Sequence, residues 1–313
     1  MKSRLLKLTL LLTLFFASSS IRAETPNRQD KPNILFIAID DLRPDFGSIR
    51  NPWVKTPNIY QLASEGLYFN KAYCQYPVCG PSRSSIMTGM LPDHSGIYGF
   101  ENADSKVADV TILPQLFKDH GYKTGRFGKV FNNPMDFKEA WDEKPRDPVT
   151  QGYSWKANQY VLPENKEQLK IEPSNGSVAE GKNQSPNPPA VERADYPDKE
   201  FVDYKTASQG IDFIKQYKDE PFFCAVGFKK PHLPFSAPER CWKIYDYIEI
   251  PYATNPFLPK RTENWMACNW EELRSYSDIP NQGLLTLEKG KELIQGYFAT
   301  VSFVDDQIGR LLK

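Results

Sequence analysis

Histidine is scarce in this 313-residue chain, occurring only at His94, His120 and His232. The five cysteines, Cys74, Cys79, Cys224, Cys241 and Cys268, include no C-x-x-C pair, so the spacing matches no zinc pattern. Neither sign of charge is in excess, since 39 Lys and Arg balance 39 Asp and Glu. Four of the basic residues (Lys2, Arg4, Lys7 and Arg22) fall in the first 23 positions, which hold no acid, leaving 35 basic against 39 acidic groups in the rest. A nucleic-acid binder would show a net basic domain or stripe, and none is present. Long apolar runs are missing too. The longest, residues 8–16 (LTLLLTLFF), is too short to cross a bilayer, which takes about 20 residues as a helix. What the chain does have is 40% hydrophobic and 25% charged residues, the balance of a globular protein and not of a disordered one. Aromatics at 13% and 26 prolines against 18 glycines suggest a large fold with many structured loops.

Residues 1–23 read as an export signal: a basic start, the short apolar run, then small and polar residues toward a cut after Ala23. An uncleaved anchor is the alternative. The expectation is a secreted or periplasmic protein, or one of a lysosomal-type lumen in a eukaryote, with no stable membrane insertion once the signal is removed. The odd number of cysteines then means that one is free or is used for chemistry.

Beyond the signal, strands and helices alternate, which predicts an α/β fold with a largely parallel sheet flanked by helices. Residues 33–39 (NILFIAI) and 221–228 (PFFCAVGF) are nearly unbroken apolar runs, as in strands buried on both faces. Residues 122–127 form a third strand candidate. Thr56 and Pro57 supply an N-cap and a first-turn proline for a helix ending near Gly66. Further helices are expected over 82–88, 112–119, 204–217 and 287–313. Residues 137–199, rich in Pro, Asn, Glu and Lys without clear periodicity, read as a surface insertion within one domain spanning 24–313.

Two places carry chemistry. Cys79-Gly80-Pro81-Ser82-Arg83 sits where a helix opens. A thiol there faces unpaired backbone N–H groups and the positive dipole end, and Arg83, one turn on, adds a guanidinium. Such a place suits an anion. On these residues alone, a low-pKa nucleophile and a structural cysteine both remain open. Asp40-Asp41 ends the first buried strand, where ligands collect in open α/β sheets. Adjacent carboxylates suit a hard cation such as Ca²⁺ or Mg²⁺, although an isolated Asp-Asp is also an ordinary turn or helix cap. Trp242, Trp265 and Trp270 fit either a sugar subsite or core packing.

With these residues in place, the chain resembles the sulfatase family of the alkaline-phosphatase-like superfamily. The resemblance is carried by PNILFIAIDDLRPD (32–45), TPNIYQLASEGLYFNKAYCQYPVCGPSRSSIMTG (56–89), GYKTGRFGKVF (121–131), PFFCAVGFKKPHLPF (221–235) and GYFATVSFVDDQIGRLL (296–312). It leaves out the insertion and residues 248–283. The pairing of GKVF with KPHLPF is most similar to the iduronate-2-sulfatase branch. The resemblance implies that a formylglycine-generating enzyme oxidises Cys79 to formylglycine, an aldehyde that hydrates to a diol. It further implies that Asp40 and Asp41, with the diol at position 79, hold Ca²⁺ (Mg²⁺ being the other candidate). Arg83 would orient the hydrated aldehyde and Lys129 would bind sulfate oxygens. His232 would assist the leaving alcohol, with Lys230 near the sulfate or sugar. The substrate class is then a sulfated carbohydrate. One hydroxyl attacks sulfur, and the second expels sulfate and restores the aldehyde, an exit that plain Ser or Cys lacks. A phosphoester or phosphonate hydrolase of the same superfamily, or an inactive fragment, are the alternatives.

Two departures stand out. The family offers a histidine shortly after the GK lysine, where this chain has Phe131-Asn132-Asn133. The family also completes its metal site with an acidic segment after the helix matching residues 296–312. The chain stops at Lys313, so it is expected to be the front part of a longer sulfatase, with Asp305-Asp306 no substitute for the missing ligands.

Overall fold

A computed structural model describes residues 31–44, 46–47, 49–132, 137–143, 155–170, 187–253, 255, 257, 259–263, 266 and 271–313. The expected signal, Trp265, Trp270 and Cys268 lie outside the described residues. Three parallel strands form the main sheet in the order β1 (Ile34–Ile39), β4 (Phe222–Phe228), β2 (Lys123–Gly128). Ile34 to Ile39 pair with Phe223 to Phe228, and Lys123 to Gly128 pair with Phe222 to Gly227. Five principal helices accompany the sheet: α1 (Pro57–Glu65), α2 (Cys79–Thr88), α3 (Leu113–Asp119), α4 (Val202–Gln216) and α5 (Leu287–Leu311).

The strand period of two sorts side chains onto two faces. Leu35, Ile37 and Ile39 join Cys224, Val226 and Phe228 against Ala207 and Phe213 of α4 and Val304, Ile308 and Leu311 of α5. Ile34 and Phe36 join Phe223 and Ala225 against Met87 of α2, Leu113 and Phe117 of α3, and Trp141. Each large side chain fully buried among these contributes about 1.5–3 kcal/mol. The central strand β4 is buried throughout, whereas β1 is only half-buried along its length. The apolar run of β1 suggested full burial; it differs because β1 is an outer strand among the described residues.

Two local expectations are corrected. Thr56 precedes α1 but does not cap it, since its Oγ1 accepts from Gly47 N instead. The cap comes from Asp305 of α5, whose carboxylate accepts from Asn58 N (3.1 Å), Asn58 Nδ2 (2.8 Å) and Ile59 N (2.7 Å). The second correction lies within 137–199, where the described residues are partly interior. Val191–Ala194 forms β3, parallel to β5 (Phe235–Pro238). Ala157, Tyr160, Leu169 and Ala190 pack with Tyr276, Ile279 and Leu293. The buried Glu192 carboxylate replaces regular periodicity as the organiser, accepting from Val161 N, Leu162 N, Asn165 Nδ2 and Ser236 Oγ. Among the described residues no helix is long and apolar enough to cross a membrane.

Candidate active site

Strand β1 delivers Asp40 and Asp41 to its carboxyl end, and the chain turns between them. Asp41 takes a left-handed backbone conformation (φ +54°), which Asp tolerates better than most residues. The two carboxylates thereby part company. Asp40 is buried, while the Asp41 side chain remains about half-exposed.

Strand β2 delivers Lys129. Gly128 has φ +67°, and a Cβ on Gly227 would lie 1.9 Å from the Lys129 carbonyl oxygen, so two glycines let the chain turn tightly against β4. The lysine ammonium then reaches Asp40 Oδ2 at 2.5 Å. Helix α2 delivers Arg83, whose Nη2 donates to Asp40 Oδ1 at 2.8 Å. Its Nη1 donates to the carbonyls of Lys129 and Val130. One planar fork therefore ties α2 to the ends of both β1 and β2. Burial raises the Asp40 carboxyl, but the charges of Arg83 and Lys129 outweigh it and hold the group below its ordinary value.

Cys79 is the first residue of α2 and is half-buried beside this cluster. Its thiol donates to Asn132 Oδ1 at 3.3 Å. Burial pushes the thiol up; Lys129 and Arg83 pull it down, and Asp40 and Asp41 oppose them. The helix start therefore does not yield a low-pKa thiolate nucleophile. Cys74, Cys79, Cys224 and Cys241 are all free of disulfides.

His232 follows β4. Its Nδ1 lies 2.6 Å from the Leu233 carbonyl oxygen, which only accepts, so Nδ1 carries the hydrogen. Nε2 faces Glu272 Oε1 at 3.4 Å and Asp41 Oδ2 at 3.8 Å. Burial pushes the Asp41 carboxyl up, with His232 pulling down and Asp40 pushing up.

Asp40, Arg83 and Lys129 thus form one bonded cluster, Cys79 flanks it, and His232 approaches through Asp41. Lys230 is not brought to them. The residue is 2% exposed and its ammonium donates to Pro234 O (2.5 Å), Gln159 Oε1 (3.4 Å) and His232 O (3.5 Å). Trp242 is core, packed with Tyr245 and Phe298. His94 and His120 are exposed. Asp305 caps α1, as described above, and Asp306 pairs with Arg240 at 2.7 Å. Sequence reasoning missed Glu272, in a stretch with no motif. It also missed Tyr297, whose hydroxyl accepts from Arg43 N (2.8 Å) and donates to Asp41 O (3.3 Å).

A hard divalent cation takes six to eight oxygens. Asp40 and Asp41 are donors of the right kind, but both Asp40 oxygens already accept from cations. No group of three His, Cys, Asp or Glu able to hold an ion occurs among the described residues. The residues present fit part of a cation site.

The family model for sulfatases matches residues 32–313. This chain belongs to the sulfatase family. It is 32% identical to iduronate 2-sulfatase of Mus musculus over 99% of its own length and 56% of that relative's, so it spans about half of the longer protein. Among solved structures, one bound to its substrate D-glucosamine-2-N,6-O-disulfate aligns with a TM-score of 0.55 at 19% identity, over 90% of this sulfatase chain and 61% of the other. The phosphonate monoester hydrolase of Agrobacterium radiobacter aligns with a TM-score of 0.54 at 20% identity, over 90% and 58%. These two alignments speak for the fold, an alkaline-phosphatase-like α/β architecture of which this sulfatase chain covers part.

Proposed function

We propose that the protein hydrolyses sulfate esters of a sugar or glycosaminoglycan, in the manner of an iduronate-2-sulfatase. The observation that carries this is the meeting of Cys79, Arg83, Lys129 and Asp40 at the carboxyl ends of β1 and β2, a half-buried thiol within the field of a guanidinium and an ammonium. A sulfate ester spreads negative charge over its non-bridging oxygens, and that charge needs fixed cations where it accumulates. Lys129 stands at the mouth of the cluster to receive those oxygens, and Arg83 holds the floor against Asp40.

In this reading Cys79 is the residue converted to formylglycine by a maturation enzyme, supplying an aldehyde hydrate as the nucleophile and as the exit for sulfate. Burial pushes the unmodified thiol up, which agrees with a converted residue and not a bare thiolate as the nucleophile. Asp40 and Asp41 would hold part of the coordination of a divalent cation, Ca²⁺ in our assignment, whose charge would offset that of the ester. His232, with Nδ1 committed to the Leu233 carbonyl, keeps Nε2 for the departing oxygen. Asn132 stands where a titrating histidine would be expected and contacts the residue 79 side chain without exchanging protons itself. Lys230 does not contact substrate in this scheme. Residues 1–23 are assigned as an export signal, so that in this reading the mature protein is secreted or periplasmic.

The superfamily fold is shared with a phosphonate monoester hydrolase, so the test pairs the two chemistries. Protein co-expressed with a formylglycine-generating enzyme is assayed on matched 4-nitrophenyl sulfate and phenylphosphonate esters. Preference for the sulfate is expected; preference for the phosphonate transfers the assignment to the second chemistry.

A further inference from the structure

We propose that Asp203 and Lys230 are positioning residues that set the loop presenting His232, acting on departure of the alcohol without touching substrate. The inference rests on the role given to His232 above. Asp203 is the second residue of α4 and has no exposed surface. Past the last ladder pair of β4, Ile39 with Phe228, the backbone leaves the sheet. There the Asp203 carboxylate receives it: Oδ1 accepts from Lys229 N and Oδ2 from Lys230 N, both at 2.8 Å. His232 N then donates to Lys229 O at 3.1 Å, closing the turn.

From the other side, the Lys230 ammonium turns inward and donates to the carbonyls of His232 and Pro234 and to Gln159. Donors at 229 and 230 and acceptors at 232 and 234 are thus gripped by one buried carboxylate and one buried ammonium. Between them sits the imidazole whose Nδ1 bonds Leu233 O. A buried charge is retained at a cost unless its bonds are satisfied, and here the carboxylate spends both its bonds, and the ammonium two of its three, on the backbone of this single loop. The bonds of the Lys230 ammonium go to Gln159 and to the loop's own carbonyls, and none goes to Asp40, Arg83 or Lys129.

The test uses the full chain with Asp203→Asn, which places an amide N–H₂ against a backbone N–H, and Lys230→Met, which keeps the stem. Amide exchange read by mass spectrometry should rise about tenfold or more at residues 229–235 in Asp203→Asn, with α2 and β1 unchanged, as for local opening. Unchanged exchange at 229–235, or a rise spread evenly over the chain, overturns the proposal. In turnover, Asp203→Asn should lower kcat on a sugar sulfate by about tenfold but on 4-nitrophenyl sulfate by much less, with KM little changed, because the better leaving group needs less help from His232. In a His232→Ala background the same substitution should cost nothing further. Equal losses on both esters, or losses that multiply with His232→Ala, overturn it. Should Asp203→Asn fail to fold, Lys230→Met decides: faster exchange confined to 232–235 is expected, and unchanged exchange refutes the grip. Should wild-type protein hydrolyse neither ester, the functional assignment fails, and the exchange results still decide whether these residues hold the loop.

Discussion

Arg83 Nη2 donates to Asp40 Oδ1 across 2.8 Å, joining the second turn of the helix that begins at Cys79 to the end of the strand that carries the acidic pair. Both side chains are buried, and the same guanidinium reaches the carbonyls of Lys129 and Val130. The pair is the joint on which the candidate site is assembled.

Replacing Arg83 by Lys keeps the charge but loses the fork, so it cannot serve Asp40 and the two carbonyls at once. The expected loss is about 1–3 kcal/mol of stability, from buried acceptors left unpaired, together with most of the sulfatase turnover. Denaturant unfolding and a sulfate-ester assay check both. Wild-type values in each would mean the fork is not needed.

Asp305 should matter to stability and not to metal. Asp305→Ala strips the N-terminus of α1 of three bonds to a carboxylate, a loss of about 2–3 kcal/mol. A Thr56→Ala variant removes only the bond to Gly47 N and should cost less. Urea midpoints of the two variants test the order, and a larger effect at Thr56 would reverse the assignment of the cap.

These contrasts show where the sequence speaks. The apolar runs of β1 and β4 and the amphipathic repeat of α5 were readable because a two-faced sheet demands them. Cys79 to Arg83 and Asp40-Asp41 were readable because each is a compact group of reactive side chains. Asp305 was not, since its partners lie 246 and 247 residues away and a local Thr-Pro pair imitates a cap. Asp203 looks in sequence like any acid in the first turn of a helix, and the family resemblance points Lys230 toward the sulfate or sugar and not toward its own loop. Only the tertiary packing reveals that both are enclosed. At Cys79 the local sequence shows the helix start and Arg83 but neither the burial nor the Asp40 and Asp41 charges that push the thiol up.

Burial lowers the Lys230 ammonium from 10.5 to about 7, with Asp203 and Glu192 pulling it back up and Lys229 adding to the fall. Below about pH 7 both folded and unfolded chains hold this proton, and the burial penalty is fully present. Between about 7 and 10.5 the unfolded chain holds more protons at this residue, so the folded state gains stability as pH rises. Unfolding free energies at pH 7 and 9.5 should therefore show wild type gaining relative to Lys230→Met. Parallel pH dependence in the two proteins would contradict the lowered value.

Removal of the acidic pair should remove the cation. Calorimetric titration with Ca²⁺ is expected to show affinity falling by about tenfold or more for Asp40→Asn and for Asp41→Asn, as for loss of one charged oxygen ligand. Undiminished binding in both would place the ion elsewhere.

Sulfate-ester hydrolysis by this protein turns, as proposed, on the chemical state of residue 79. Peptide mass spectrometry of the active, co-matured protein is predicted to find the aldehyde of formylglycine in place of the Cys79 thiol, with activity rising in proportion to its occupancy. Full turnover from protein in which residue 79 is an unmodified cysteine would contradict it.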